Sequence, residues 1–113
     1  MQEAKLVAKT SPIHRSVIEV GDRVAIGGQE IVIIGGPCAV ESLPQMEQIA
    51  QALAQVSVQA LRGGVYKPRT SPYSFQGMGV DGLRILASVR AQYKLPVVTE
   101  VMSIAQLEPV CAY

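Results

Sequence analysis

The residues of this chain best suited to chemistry fall in three clusters: Cys38 with Glu41, then Arg62, Lys67 and Arg69, then Glu100. Arg62, Lys67 and Arg69 are suited to hold a phosphate, or a phosphate plus a carboxylate, because guanidinium and ammonium groups bind such anions through charge-assisted hydrogen bonds. The same spacing fits an ordinary solvated basic loop, and only Arg62 is embedded in an apolar run. Cys38, directly after Gly36-Pro37, suits metal ligation, nucleophilic attack or simple burial. No CxxC or HExxH pattern accompanies it, so a metal would need ligands from distant parts of the fold. His14 reads as a surface residue and Cys111 as packing. Thr70, Ser71 and Ser74 have no neighbouring histidine or acid, which leaves a hydrolase triad without support. The pair Gly63-Gly64, costly to order inside a strand, signals a bulge, a close approach by a ligand or another backbone, or an ordinary bend.

The elements that must position these groups follow from periodicity. Ser16 to Val20 and Arg23 to Ile26 flank Gly21-Asp22 as a hairpin, within an N-terminal segment spanning residues 1–29. From residue 30 to 113 strands alternate with helices. Ile31 to Ile34 is a continuous apolar run expected to be a strand buried on both faces. Ser42 and Gln45 are spaced as a capping box for a helix from Leu43 to Gln55, with Met46, Ile49, Ala50 and Leu53 on its inner stripe. A second strand spans Gln59 to Tyr66, and a second helix Asp81 to Tyr93 with Leu83, Leu86, Val89 and Tyr93 inward. A third strand covers Pro96 to Glu100, and Ser103 with Gln106 is a second capping-box spacing opening a third helix, in which Pro109 predicts a kink or early end. This order implies α/β architecture with a parallel sheet, and it brings all three clusters to the carboxyl ends of the strands, where such folds keep their sites.

Composition narrows the function classes. A chain of 113 residues that is 49% hydrophobic and 17% charged is the size of one domain with a core. A net charge of +1 without basic clusters argues against a nucleic-acid partner. No apolar stretch approaches the ~20 residues of a membrane helix. The N-terminus lacks an apolar signal core, so a reducing, cytoplasmic compartment with Cys38 and Cys111 as thiols is expected.

The words GPCAVES (Gly36 to Ser42), LRGGVYKPRTSPYSFQG (Leu61 to Gly77) and VVTEVM (Val97 to Met102) resemble, in order, the 3-deoxy-D-arabino-heptulosonate-7-phosphate (DAHP) synthases. The resemblance implies a (β/α)8 TIM barrel that condenses phosphoenolpyruvate with erythrose 4-phosphate, releasing phosphate, in the first step of the shikimate pathway to aromatic amino acids. It implies a divalent metal ion with Cys38 as one ligand, Arg62 and Lys67 as catalytic residues facing phosphoenolpyruvate, and Lys67-Pro68-Arg69-Thr70 reaching the sugar phosphate. Glu100 matches a site-facing acid. The resemblance further implies a homo-oligomer for a full-length protein.

Only about the first three βα units of the barrel are expected in residues 30–113, and the family's remaining metal ligands, a His, a Glu and an Asp, belong to later strands. The isolated chain is therefore expected to be inactive, and a non-catalytic fragment or interaction protein is an alternative reading. The nearest rival enzyme is 3-deoxy-octulosonate-8-phosphate synthase. It resembles Lys-Ala-Asn-Arg-Ser where this chain has Lys67-Pro68-Arg69-Thr70, and the word Pro72 to Gln76 also favours the heptulosonate branch.

Overall fold

The structure, a computed structural model, describes residues 7–68 and 70–113. The chain divides into two compact units, one running through Val32 and one from Ile33 to Tyr113.

In the first unit, β1 (Ile18–Val20) and β2 (Val24–Ile26) pair antiparallel, with Ile18 opposite Ile26 and Val20 opposite Val24. Gly21 takes a positive φ of 62° in the connecting turn, a conformation open to glycine at little steric cost. This is the hairpin expected from the sequence. His14 is half-buried, and its Nδ1 accepts from the Thr10 backbone N–H at 3.0 Å while Nε2 lies 3.3 Å from the Ser16 hydroxyl. The imidazole is occupied by local hydrogen bonds.

The second unit is α/β. A parallel three-stranded sheet in the order β3 (Ile34–Gly35), β4 (Ala60–Arg62), β5 (Val97–Val98) is connected through α1 (Leu43–Ala54) and α2 (Val80–Tyr93). Registers Gly35 to Leu61 and Leu61 to Val97 align the strands, and a further parallel bridge pairs Ala39 with Gly64. A 3-10 turn (Ile104–Gln106) leads into the short α3 (Leu107–Cys111).

The helix starts show how local sequence sets these bounds. The Ser42 hydroxyl accepts from the Gln45 N–H at 3.2 Å, and the Gln45 side chain reaches back to accept from the Glu41 N–H at 2.9 Å. It also donates to the Ala39 carbonyl at 3.1 Å, which ties the start of α1 to the loop behind β3. Gln106 likewise accepts from the Met102 N–H at 2.8 Å, but Ser103 makes no side-chain capping bond. The second capping box is thus half formed, and the chain opens as a 3-10 turn instead of an α-helix. Pro109 then falls in the first turn of α3, where a missing N–H costs no intrahelical bond, so it does not interrupt a longer helix.

The core is where the helical stripes placed it. Met46 and Ala50 of α1 and Leu83, Leu86 and Val89 of α2 pack with Leu61, Val40, Val65 and Leu95, and Ile49, Leu53 and Tyr93 line its margin. Outside it, Arg84 joins α2 to the end of the chain, donating to Asp81 at 2.9 Å and to the Tyr113 hydroxyl at 3.2 Å. The Tyr113 hydrogen bond, more than the Asp81 charge, raises the Arg84 pKa further above its usual value.

Two expectations need correction: Cys111, expected as packing, is exposed on α3, and the first apolar run is not a fully buried strand. The run Ile31 to Ile34 is not a strand buried on both faces: only Ile34 is in β3, and Ile31 and Ile33 are 86% and 49% exposed. The physical reason is that β3 hydrogen-bonds to β4 alone, and the helices cover one face of the sheet. The second and third strands also hold fewer paired residues than their apolar runs suggested, because ladder pairing stops at Arg62 and Val98, with Gly64 in a single bridge beyond.

Candidate functional site

Alternation along the strands sorts the sheet into two faces. Leu61 and Val97 point to the helices, and a side chain at Gly35 would meet Leu53 of α1. The opposite face carries Ile34, Arg62, Val98 and Glu100, which together with Gly63, Gly64 and Thr99 line a cavity of about 330 Å3 at the carboxyl ends of the strands. Arg62 and Glu100, distant in sequence, therefore share one cavity. Arg62 is exposed, so it needs no buried counter-ion and its donors face the open space.

Lys67 is held beside this cavity by two backbone-level contacts. Its N–H donates to the Gln76 carbonyl at 2.9 Å, which closes the polar loop between β4 and α2 onto itself. Its ammonium donates to the Cys38 carbonyl at 3.0 Å. Cys38 is in turn fixed by the Gly64 N–H, which donates to the same carbonyl at 3.1 Å, and Val40 N–H donates to the Gly64 carbonyl at 2.9 Å. The loop after β3 and the loop after β4 are thus stitched together, and they bring Cys38, Lys67 and the Arg62 strand end side by side. Pro68 and Thr70 are exposed on the same loop, and Arg69 lies outside the described residues.

The glycines that the sequence flagged are sites of close approach. A Cβ at Gly63 would lie 2.7 Å from Val40 Cγ2 on the core side, whereas a Cβ at Gly64 would lie 2.7 Å from the Cys38 oxygen and 2.9 Å from Lys67 Cδ. Gly36, in the Gly36-Pro37-Cys38 run after β3, is a comparable contact. Its φ is +143°, and a Cβ there would collide with the Arg62 backbone oxygen. The Gly-Pro-Cys order was the available signal.

Cys38 is exposed at this edge, and neither it nor Cys111 is in a disulfide. Among the described residues no three of His, Cys, Asp and Glu lie together as a metal-binding group. The donors at this edge, the Cys38 thiol and the Glu100 carboxylate that lines the cavity, do not make up a set that by itself fits a divalent ion. Among the described residues, too, no helix is long and apolar enough to cross a membrane.

Comparison with known proteins agrees with this geometry. The family model for the DAHP synthetase I family matches residues 9–113. The chain is 44% identical over 109 residues to a phospho-2-dehydro-3-deoxyheptonate aldolase of Thermotoga maritima, a match covering 96% of this chain and 32% of that protein. It is 40% identical over 87 residues to a 2-dehydro-3-deoxyphosphooctonate aldolase of Bordetella bronchiseptica, covering 71% of this chain and 30% of that one. The crystal structure of the Thermotoga maritima DAHP synthase superposes with a TM-score of 0.79, covering 88% of this chain and 28% of that chain. A truncated form of the 3-deoxy-D-arabino-heptulosonate 7-phosphate synthase from the same organism gives 0.72 at 35% identity, with 88% and 34% covered. The chain spans about a third of the length of these curated relatives. With its motifs in order, its α/β fold shared and nearly all its residues within the family model, the chain belongs to the DAHP synthetase I family.

Proposed function

We propose that these residues form the enol-phosphate side of a DAHP synthase active site, within a (β/α)8 barrel that joins phosphoenolpyruvate to erythrose 4-phosphate and releases phosphate. The observation that carries the reading is the convergence of Arg62 and Glu100 on one cavity, with the Lys67 ammonium anchored on the Cys38 carbonyl in the adjoining loops. A multiply charged enol phosphate must be neutralised and oriented before its nucleophilic carbon meets an aldehyde, and Arg62 and Lys67 supply that charge from two neighbouring positions. The Lys67-Pro68-Arg69-Thr70 word is assigned to the sugar phosphate on the family resemblance, and Glu100 is the acid lining the cavity. Cys38 would be one ligand of a divalent ion whose other ligands the family resemblance assigns to later strands; such an ion would supply Lewis-acid polarisation of the acceptor carbonyl.

Erythrose 4-phosphate is preferred over the longer acceptor of the octulosonate branch. The heptonate relative aligns over 96% of the chain and the octonate relative over 71%, and the Lys67 to Thr70 word resembles the heptulosonate branch. The same reading makes the enzyme cytoplasmic and homo-oligomeric, serving aromatic amino-acid synthesis without a nucleic-acid or membrane partner. Amide resonances of the 113-residue chain, followed while phosphoenolpyruvate is added, test the site assignment. Saturable shifts are expected at Cys38, Arg62, Gly64, Lys67 and Glu100; shifts confined to the hairpin or to α3, or none that saturate, would overturn it.

A further inference from the structure

We infer that Gly64 is a positioning residue: its missing side chain is the space through which Lys67 folds back onto the Cys38 carbonyl, so Gly64 sets where the Lys67 ammonium stands. The consequence for substrate rests on the reading of Lys67 as a phosphoenolpyruvate ligand; the placement of the ammonium does not.

The adjacent glycines divide the labour by face. At Gly63 an added Cβ would meet Val40 Cγ2 at 2.7 Å, then Leu86 Cδ2 and Met46 Cε at 3.4 Å, all apolar core atoms. At Gly64 it would meet the Cys38 oxygen at 2.7 Å, Lys67 Cδ at 2.9 Å and Lys67 Nζ at 3.0 Å. Lys67 is a flexible chain that can swing away, whereas the 2.7 Å contact with the Cys38 oxygen is relieved only if the bridged Ala39–Gly64 backbone also shifts, so a methyl disturbs both the lysine and the carbonyl that anchors it. The lysine's path to the Cys38 carbonyl, 3.0 Å from Nζ, runs over the bare Gly64 backbone. A methyl at that point displaces the ammonium into the cavity or out to solvent. A four-carbon stem with an ammonium at its tip has several rotamers, and the carbonyl anchor reduces them to one before any ligand arrives.

Acylation of lysines in the folded 113-residue chain by an amine-reactive ester, read residue by residue by mass spectrometry, tests this directly. Lys9 and Lys94 are exposed and serve as internal standards, while Lys67 is half-buried. In the unaltered chain Lys67 is expected to label several-fold more slowly than Lys94, and labelling at the same rate would overturn the inference without any variant. Gly64→Ala is expected to bring Lys67 close to the Lys94 rate at a denaturant concentration where the fold is intact. Gly63→Ala is expected to lower the unfolding midpoint yet leave the ratio within about twofold, because its Cβ meets Val40, Leu86 and Met46 on the core side and not Lys67. A Gly64→Ala chain that folds and still labels slowly, or a Gly63→Ala chain that releases Lys67 equally, would contradict the assignment. Addition of phosphoenolpyruvate separates the two claims: slow basal labelling with no further protection by ligand sinks the substrate reading and leaves the Gly64 inference standing.

Discussion

The ammonium of Lys67 donates to the carbonyl of Cys38 at 3.0 Å, which joins the loop after β4 to the loop after β3 at the carboxyl edge of the sheet. A cation proposed for the enol phosphate and a thiol proposed for the metal are thereby held in one frame before any ligand is present. Arg62 lies at the end of the same strand β4, and Glu100 faces it across the cavity from the segment after β5.

Replacing Lys67 tests whether that cation serves substrate. In the Thermotoga maritima enzyme carrying residues 9–113 of this chain in place of its own, Lys67→Met is expected to raise KM for phosphoenolpyruvate by about tenfold or more, the scale of a lost charge-assisted hydrogen bond. Steady-state kinetics with each substrate varied in turn checks it, and an unchanged KM would remove Lys67 from the binding role.

Gly36→Ala should be costly to the fold. The residue sits at a φ of +143° with the Arg62 backbone against it, so the variant must both strain its backbone and separate the β3 loop from β4. The expected loss is about 1–3 kcal/mol or more in urea unfolding of the chain.

The two capping-box sequences should behave differently. Ser42→Ala removes a hydroxyl that accepts from Gln45 N–H and should cost about 1 kcal/mol. Ser103 makes no capping bond, so Ser103→Ala should fall within about 0.5 kcal/mol of the parent. Denaturant midpoints of the two variants compare them side by side.

Core and edge should separate as well. Leu61 is fully buried among the helices, and Leu61→Ala should destabilise the chain by about 2–5 kcal/mol. Ile31→Ser, at a position 86% exposed, should change stability by less than about 0.5 kcal/mol in the same measurement. A large loss at Ile31 would show that the exposed run is packed after all.

Much of the fold is legible in the sequence, for identifiable reasons. The stripe Met46, Ile49, Ala50, Leu53 and the stripe Leu83, Leu86, Val89, Tyr93 were readable because a helix has one period and one covered face. The hairpin was readable because Gly21 sits between two short apolar runs. Burial of Ile31 to Ile34 was misjudged because apolar composition says what a strand can bury, while exposure depends on how many neighbours the sheet provides. The failure of Ser103 to cap is not legible in the spacing, since Ser42-Gln45 and Ser103-Gln106 share it and both serines are extended; the residues between differ, and only the first pair carries a proline, Pro44, in the opening turn of its helix. Gly63-Gly64 announced close approach, but which glycine faces the core and which faces Lys67 is settled by strand alternation and the position of Val40, and neither is written in the pair itself.

The most direct test of the central claim is the product formed by the Thermotoga maritima enzyme carrying residues 9–113 of this chain, given phosphoenolpyruvate with erythrose 4-phosphate and arabinose 5-phosphate together. The account predicts release of inorganic phosphate matched by the seven-carbon DAHP as the main product, lost or strongly reduced in Arg62→Ala. A folded enzyme that makes the eight-carbon product in preference, or one whose condensation is indifferent to Arg62→Ala, would contradict it.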